Sequence, residues 1–488
     1  MKPINPRSEP AGHDAVRDSA LDFMRKIRES AESGANDLTE RMSPRRPAPR
    51  QTGFSELPQY RQVLAHQVTG DLLGIDNPFY RTHEGAAGAT TIIDGRTLIN
   101  FASYDYLGLN GHPRVRQSAR EAIDRHGVSA SASRLVAGER QIHSQLENKI
   151  ARFYGVESAV VFVSGYLTNV TTIAALMEQP DLVIHDELVH NSALTGVQLS
   201  GAARRSFRHN DLDDLERLLS TVSGRYRRVL VIVEGLYSMD GDIADLPALI
   251  RLRNRYGFWL MVDEAHALGV LGACGRGTFE HYGCDPRDVD IWMGTLSKTA
   301  ASCGGYIAGS RELVTLLKGH AGGIVYSVGL APALAAAAST SLDILAEESG
   351  RVDALNRNGK LFTELAVEAG LDIGQSAGFS VVPVIVGDSL RAVQLSNELQ
   401  SAGVNVMPII YPAVGEGQAR LRFFLTSEHT REQIKTAVET TSHKLSELVE
   451  RNFGIASLDL PEIARQFDSI GDLDEIVTAY TKLSDTSL

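Results

Sequence analysis

From about residue 159 the chain alternates short apolar runs with longer amphipathic segments. Ala159 to Val163, Leu182 to His185, Arg228 to Val233, Trp259 to Val262, Asp290 to Met293 and Tyr306 to Ala308 read as strands, and Leu212 to Leu219 and Leu246 to Tyr256 as helices. Such alternation predicts an α/β fold, a mainly parallel sheet with helices on both faces. Upstream, Leu57 to Leu73 has helical spacing, and Thr91 to Asn100 predicts a hairpin turning at Asp94-Gly95. An aromatic-rich loop, Phe101 to Leu109, follows it. Beyond about residue 330 the pattern changes: alanine-rich Ala331 to Glu348 predicts a long helix, and Ser380 to Val386, Val404 to Ile410 and Ala419 to Leu425 predict strands of a smaller α+β domain.

The expected organisation is therefore an N-terminal extension over 1–55, a helix-and-hairpin segment over 56–110, a large domain over 111–330, a small C-terminal domain over 331–455 and a tail over 456–488. Within the extension, Ala15 to Glu29 has the pattern of a short amphipathic helix through Leu21, Met24 and Ile27, and Ser43 to Arg50 that of an extended, proline-rich linker. Leu473 to Lys482 predicts one helix in the tail. The sequence contains no internal repeat.

Composition narrows the function classes. The 488 residues are 43% hydrophobic and 22% charged, as in ordinary globular proteins. A net charge of -12 argues against a nucleic-acid binder or a protein held on an anionic membrane. The three cysteines, Cys274, Cys284 and Cys303, show no CxxC spacing, so neither a disulfide framework nor a zinc site is signalled, and no other metal is expected. No apolar run approaches the roughly 18 to 20 residues that span a bilayer. The N-terminus lacks a signal-type apolar region and carries the acids Glu9, Asp14 and Asp18, so a reducing, cytoplasmic setting is expected.

The candidate chemistry sits at strand ends. Gly294-Thr295-Leu296-Ser297-Lys298-Thr299 follows an apolar strand and leads into Gly304-Gly305-Tyr306. A lysine there, among hydroxyls and glycines, suits a Schiff-base amine, although the stretch alone is equally compatible with a surface lysine. A second strand runs into Asp263-Glu264-Ala265-His266. The same letters occur in helicases, but that reading requires a GxxxxGK[ST] phosphate loop, which the chain lacks. Lys298 with Asp263 instead suggests pyridoxal phosphate, the lysine binding the aldehyde and the carboxylate keeping the ring nitrogen protonated. Ser164-Gly165-Tyr166 follows a third strand and opens a helix with Thr168 and Asn169 in its first turn; a glycine there lets backbone N–H groups approach a phosphate. His190 could stack on a cofactor ring or serve as a structural hydrogen-bonder, and Glu234 to Asp242 offers acids and a hydroxyl at a strand end or only a turn at Asp240-Gly241.

The motifs SYDYLGL, SRLVAG, FVSGYLTN, HNSAL, FRHND, EGLYSMDGDIADL, VDEAHALGVLG, GRG and GTLSK occur in that order. Over roughly residues 75 to 450 the chain thereby resembles the α-oxoamine synthases of the fold-type I pyridoxal phosphate superfamily, which include serine palmitoyltransferase, aminolevulinate synthase, amino-oxononanoate synthase and aminoketobutyrate CoA ligase. The resemblance implies a seven-stranded, mainly parallel sheet and a homodimer with shared active sites. It implies Lys298 as the cofactor lysine, Asp263 as the partner of the ring nitrogen, His190 stacked on the ring, and His266 and Ser238 near its phenolic oxygen. Gly165, Tyr166, Thr295 and Ser297 would hold the phosphate, joined by Ser327 from the other subunit, and Arg422 would bind the amino-acid carboxylate.

The reaction so implied is a decarboxylative condensation of a small amino acid with an acyl thioester, giving an α-aminoketone, carbon dioxide and free thiol. Ser133 stands where the glycine-restricted aminolevulinate synthases carry a bulkier threonine, which admits alanine or serine beside glycine. Tyr104 and Asp105 occupy the two middle positions of a pocket loop where the family has an asparagine at one or the other. Through Asn77-Pro78-Phe79-Tyr80 and Val136 to Arg140 the chain also resembles synthase modules of polyketide and related secondary-metabolite pathways. The acyl group is accordingly expected on coenzyme A or on an acyl carrier protein, with residues 1 to 55 helping to dock the carrier. An aminotransferase of the same superfamily would share Lys298 and Asp263 but release a keto acid, and a non-catalytic partner subunit would lack the lysine.

Overall fold

The computed structural model describes residues 53–415 and 417–455. Most of the expected N-terminal extension, with its helix and linker, and the tail helix lie outside the described residues. Helix α1 (Pro58–Leu72) leads to a hairpin of β1 (Thr90–Ile93) and β2 (Arg96–Asn100). Ile93 pairs with Arg96 across Asp94-Gly95, both of which take positive φ, 51° and 70°. A two-residue hairpin turn requires that conformation, and Asp-Gly adopts it readily.

After α2 (Pro113–His126) and α3 (Gln141–Tyr154), the main sheet is built from β3 (Ser158–Phe162), β4 (Leu182–Asp186), β5 (Ala203–Phe207), β6 (Val229–Glu234), β7 (Trp259–Asp263), β8 (Ile291–Thr295) and β9 (Gly305–Gly309). Their spatial order is β3-β9-β8-β7-β6-β4-β5. β5, β4, β6, β7 and β8 run parallel, and β9 runs antiparallel to both its neighbours, β3 and β8. The central strands β6, β7 and β8 are largely apolar because both faces are covered. Alternate residues enter two cores: Val231, Val233, Leu260, Val262 and Trp292 on one face, Leu230, Ile232, Met261, Ile291 and Met293 on the other. Each such side chain contributes roughly 1.5–3 kcal/mol on burial, which fixes the sheet's register face by face. β5 was not among the predicted strands. It is an edge strand whose Arg204, Arg205 and Ser206 are exposed, so no apolar run announces it.

The crossovers include α4 (Gly165–Leu176), α5 (Asn191–Ser200), α6 (Leu212–Val222) and α7 (Leu246–Tyr256). Further on come α8 (Arg311–His320), then α9 (Pro332–Glu347), which packs on α2 and α3, and α10 (Gly350–Glu368). The rest of the chain supplies β10 (Val381–Gly387), α11 (Ser389–Ser401), β11 (Val404–Asn405), β12 (Met407–Ile409), β13 (Ala419–Phe424) and α12 (Arg431–Glu450). β10, β13 and β12 form an antiparallel sheet in that order. The single strand predicted over Val404 to Ile410 is in fact two. Val404 and Asn405 pair in parallel with β2, after which Met407 to Ile409 join β13; one straight strand cannot serve two sheets. Pro408, which has no N–H to donate, is tolerated because β12 is an edge.

Candidate active site

The parallel strands end at one edge of the sheet, and the candidate groups follow those ends: Ser164 and Gly165 after β3, His190 after β4, Glu234 on β6, Asp263 on β7, Thr295 and Lys298 on and after β8. Ligands of open α/β sheets bind at this edge. Ser164 caps α4, its Oγ accepting from the Leu167 N–H at 3.4 Å. A Cβ on Gly165 would lie 2.7 Å from Thr295 Oγ1, so glycine is what lets the start of α4 pack this closely on the end of β8. Thr295 Oγ1 donates to the Gly304 carbonyl at 3.0 Å and meets Ser297 Oγ at 2.7 Å. Tyr166 donates to Asn191 Oδ1 at 3.1 Å, its ring edge-on to His190.

Lys298 is half-buried, its Nζ 5.5 Å from the centre of the Tyr104 ring. Desolvation lowers its pKa to about 8, opposed in part by Asp263 and Glu234 and aided by Arg422. About a tenth of the amine is therefore uncharged at pH 7, against less than about a thousandth at the ordinary lysine value. Glu234 and Asp263 are register partners on adjacent strands. Burial and the neighbouring Asp263 push the Glu234 carboxyl up to about 8, and its Oε2 accepts from the Ser238 N–H at 3.1 Å. A protonated Glu234 relieves like-charge repulsion with Asp263.

Asp263 is held at both oxygens. Oδ1 accepts from the Ala265 N–H at 3.0 Å, and Oδ2 from Asn169 Nδ2 at 2.9 Å. The same amide nitrogen donates its second hydrogen to Ser192 Oγ at 2.9 Å, and Ser192 Oγ lies 2.7 Å from His190 Nδ1. The Ser192 N–H also points at that Nδ1, at 3.3 Å. Nδ1 is thus an acceptor, so the ring proton sits on Nε2. Burial lowers the His190 pKa, with Asp263 opposing and Lys298 and Arg422 reinforcing, so the ring is neutral. His266 is neutral as well, held far below the usual histidine value by burial and then by Lys298, Arg422 and His190. Its Nδ1 is 2.6 Å from Tyr106 Oη, and its ring lies parallel to Phe424.

Arg422 reaches this edge from β13. It donates to the Ser238 carbonyl at 2.9 Å and, at 3.4 Å, to Tyr104 Oη, lies over Phe424, and leaves its buried Nε without a partner. Beside Lys298 a cleft of about 420 Å³ is lined by His83, Ala87, Ser103, Tyr104 and Asp105 among others. Asp105 also braces its own loop. Its oxygens accept from the Leu109 and Asn110 N–H groups at 2.8 and 3.1 Å, and burial raises its pKa to about 6. The carboxylate thereby ties down the segment that carries Tyr104.

Neither Ser133 nor Ser327 lines the cleft beside Lys298. Ser133 bridges to Val328, next to Ser327, and among the described residues neither serine hydrogen-bonds to the groups above. Around them Leu135, Val136, Tyr326 and Val328 are exposed. Sequence reasoning assigned no role to Asn169, Ser192, Tyr106 or Phe424. Asn169 is one turn past Gly165 and Ser192 two residues past His190, spacings that gain meaning only once α4 and α5 are adjacent.

The family model of class I and II aminotransferases matches residues 96–440. An 8-amino-7-oxononanoate synthase of Symbiobacterium thermophilum is 43% identical over 348 residues, 71% of this chain and 88% of that protein. Among solved structures, serine palmitoyltransferase from S. paucimobilis with bound PLP-myriocin aldimine superposes with a TM-score of 0.78 at 26% identity, over 81% of this chain and 99% of that one. The 8-amino-7-oxononanoate synthase of Francisella tularensis gives 0.63 at 25% identity, over 72% and 98%. The fold is that of the fold-type I pyridoxal phosphate transferases, and the chain belongs to the class I and II aminotransferase family, in its α-oxoamine synthase branch.

Proposed function

We propose that this protein is a pyridoxal phosphate-dependent C-acyltransferase that condenses a small amino acid with an acyl thioester, releasing carbon dioxide and thiol and forming an α-aminoketone. The observation that carries the reading is a partly uncharged lysine just past the end of β8 beside an anchored aspartate at the end of β7, with the glycine-opened N-terminus of α4 packed against Thr295. These residues fit the cofactor. The N-terminus of α4, opened by Gly165 and Tyr166 with the Thr295 and Ser297 hydroxyls meeting beside it, suits a phosphate. Asp263 suits the ring nitrogen, His190 the ring face, His266 and Ser238 the phenolic oxygen, and Lys298 the aldehyde. When bound, pyridoxal phosphate supplies an electron sink for negative charge at the amino acid's α-carbon.

The chain's own groups do the rest. Arg422, with its free Nε, would bind and orient the amino-acid carboxylate. Lys298, with a pKa near 8, would accept the α-proton. His190, fixed as the Nε2–H tautomer, would donate to the carboxylate or to the thioester oxygen. Tyr104 and Asp105 would shape the amino-acid pocket from the loop beside the cleft.

The placement of Ser133 and Ser327 supports a homodimer with shared sites. Both lie on a strip whose apolar neighbours are exposed in the protomer, and there Ser327 would reach the phosphate of the second subunit and Ser133 its amino-acid pocket. Alanine or serine would then fit beside glycine. Coenzyme A or an acyl carrier protein would deliver the acyl group, with residues 1–55 docking the carrier; deletion of that segment should slow turnover of carrier-bound acyl groups and spare acyl-CoA. No helix among the described residues is long and apolar enough to cross a membrane.

The test is to load the purified protein with pyridoxal phosphate, add glycine, alanine or serine in turn with an acyl-CoA, and assay carbon dioxide and free thiol. Release of both with one amino acid supports the reading. A keto acid without either would reassign the protein as an aminotransferase.

A further inference from the structure

One partly buried cluster at the same sheet edge takes no part in the chemistry above. His209, just beyond β5, puts Nδ1 2.9 Å from Asp186 Oδ1 and Nε2 2.9 Å from Asp242 Oδ2. Ionised carboxylates only accept hydrogen bonds, so both ring nitrogens must carry a proton and the ring is an imidazolium. Its other neighbours are consistent with that charge. The Tyr237 ring stands edge-on at 4.5 Å, Glu187 accepts from the His209 N–H at 2.9 Å, and Asn210 donates to both carboxylates, through its N–H to Asp186 Oδ2 at 2.8 Å and through Nδ2 to Asp242 Oδ2 at 2.5 Å. Burial alone would lower the His209 pKa, but the hydrogen bonds to Asp186 and Asp242 lift it to about 10.

The two carboxylates belong to different site elements. Asp186 ends β4, and its Oδ1 also accepts from the Leu188 N–H at 2.8 Å, shaping the turn that delivers His190. Asp242 closes the loop after β6, where Tyr237 and Gly241 are tied to Asp242 and Tyr237 by backbone bonds of 2.9 Å. That loop is the seat of the small domain. Its Ser238 carbonyl receives Arg422, its Asp240 pairs with Arg420 at 2.5 Å, and its Gly241 carbonyl accepts from the Ala377 N–H at 3.0 Å.

We propose that His209 is a positioning residue, a cationic clamp between Asp186 and Asp242 that holds the His190 turn in register with the loop on which Arg422 rests. The role assigned to Arg422 and His190 rests on the function proposed above; the charge and placement of His209 do not. The phosphate cradle, on β3, β8 and α4, lies outside the clamp.

Two measurements test it. In nitrogen-15 NMR of histidine-labelled, cofactor-loaded protein at about pH 8.5, two units above the ordinary histidine value, His209, assigned by difference from His209→Gln, should show both ring nitrogens protonated. A neutral ring would overturn the proposal. In spectral titrations with glycine, alanine and serine, His209→Gln should bind the responding amino acid about tenfold or more weakly, with a clearly smaller loss of pyridoxal phosphate affinity, because the phosphate cradle lies outside the clamp although His190 and Ser238 do not. Equal losses of both would mark a merely structural residue and overturn it; should the variant not fold, Asp242→Asn is held to the same split. If the unsubstituted protein responds to none of the three, the proposed function fails while the NMR result still decides the clamp.

Discussion

Two histidines stand at the same edge of the sheet, one strand apart, and carry opposite charge states. His190 meets only Ser192 at its Nδ1 and is neutral; His209 meets a carboxylate at each nitrogen and is cationic. Burial pushes both toward neutrality, so the partners decide. A hydroxyl fixes a tautomer without adding charge, as befits a group that must present one N–H to a substrate. Two acids add charge and rigidity, as befits a group that joins loops.

Substitution at Lys298 should separate the two histidines most. Lys298→Ala should cut thiol and carbon dioxide release at least about a thousandfold. It should also raise the pKa of His190, which the lysine's charge holds down, and leave His209 unchanged. NMR titration of both rings checks this, and a parallel shift of His209 would mean that the two sites are not independent. Ser192→Ala should act next most strongly. Without the hydroxyl, His190 divides between tautomers, and turnover should drop about tenfold or more while Asp263, still held by Asn169 and Ala265, keeps the cofactor. An unchanged nitrogen-15 spectrum for His190 would show that the Ser192 N–H alone sets the tautomer.

The smallest effect is on stability. The folded pKa of His209, about 10, lies above the unfolded value of about 6.5. A raised pKa means that its stabilisation is complete below about pH 6.5 and disappears as pH rises through about 10. The melting-temperature gap between the unsubstituted protein and His209→Gln should therefore be widest near pH 6.5 and shrink steadily toward pH 10, by a few degrees in all. A gap that widens with pH would place the charge on the wrong side of the balance.

Legibility in the sequence followed the same division. Strands covered on both faces are continuous apolar runs, so the central sheet and the residues at its ends, Lys298, Asp263 and Gly165 among them, could be read directly. Asp94-Gly95 named its own turn. Hidden were features that depend on what a segment meets: β5, because an edge strand need not be apolar, and the break between β11 and β12, because pairing with two sheets leaves no mark in a run such as Val404 to Ile410. Asn169, Ser192 and His209 were visible as letters inside motifs. Their roles emerge only when elements distant in sequence place an amide between an acid and a hydroxyl, or an imidazole between two acids. Ser133 and Ser327 gained a shared location that no spacing suggested, since 194 residues separate segments joined by a single bridge.

The pairing of β2 with β11 bears on the order in which the protein can be made. Asn405 Nδ2 donates to Asn100 Oδ1 at 2.8 Å across 305 positions, and Val404 aligns with Ile99. A chain emerging from the ribosome exposes the hairpin well before its partner strand, since 305 positions separate Asn100 from Asn405. Every strand of the main sheet can be in place while one edge of β2 still shows unpaired backbone, so the growing chain carries an open template until residue 405 arrives. Asp94-Gly95 has its own value in that interval: a hairpin closed by a turn of high local preference keeps its other edge occupied while it waits.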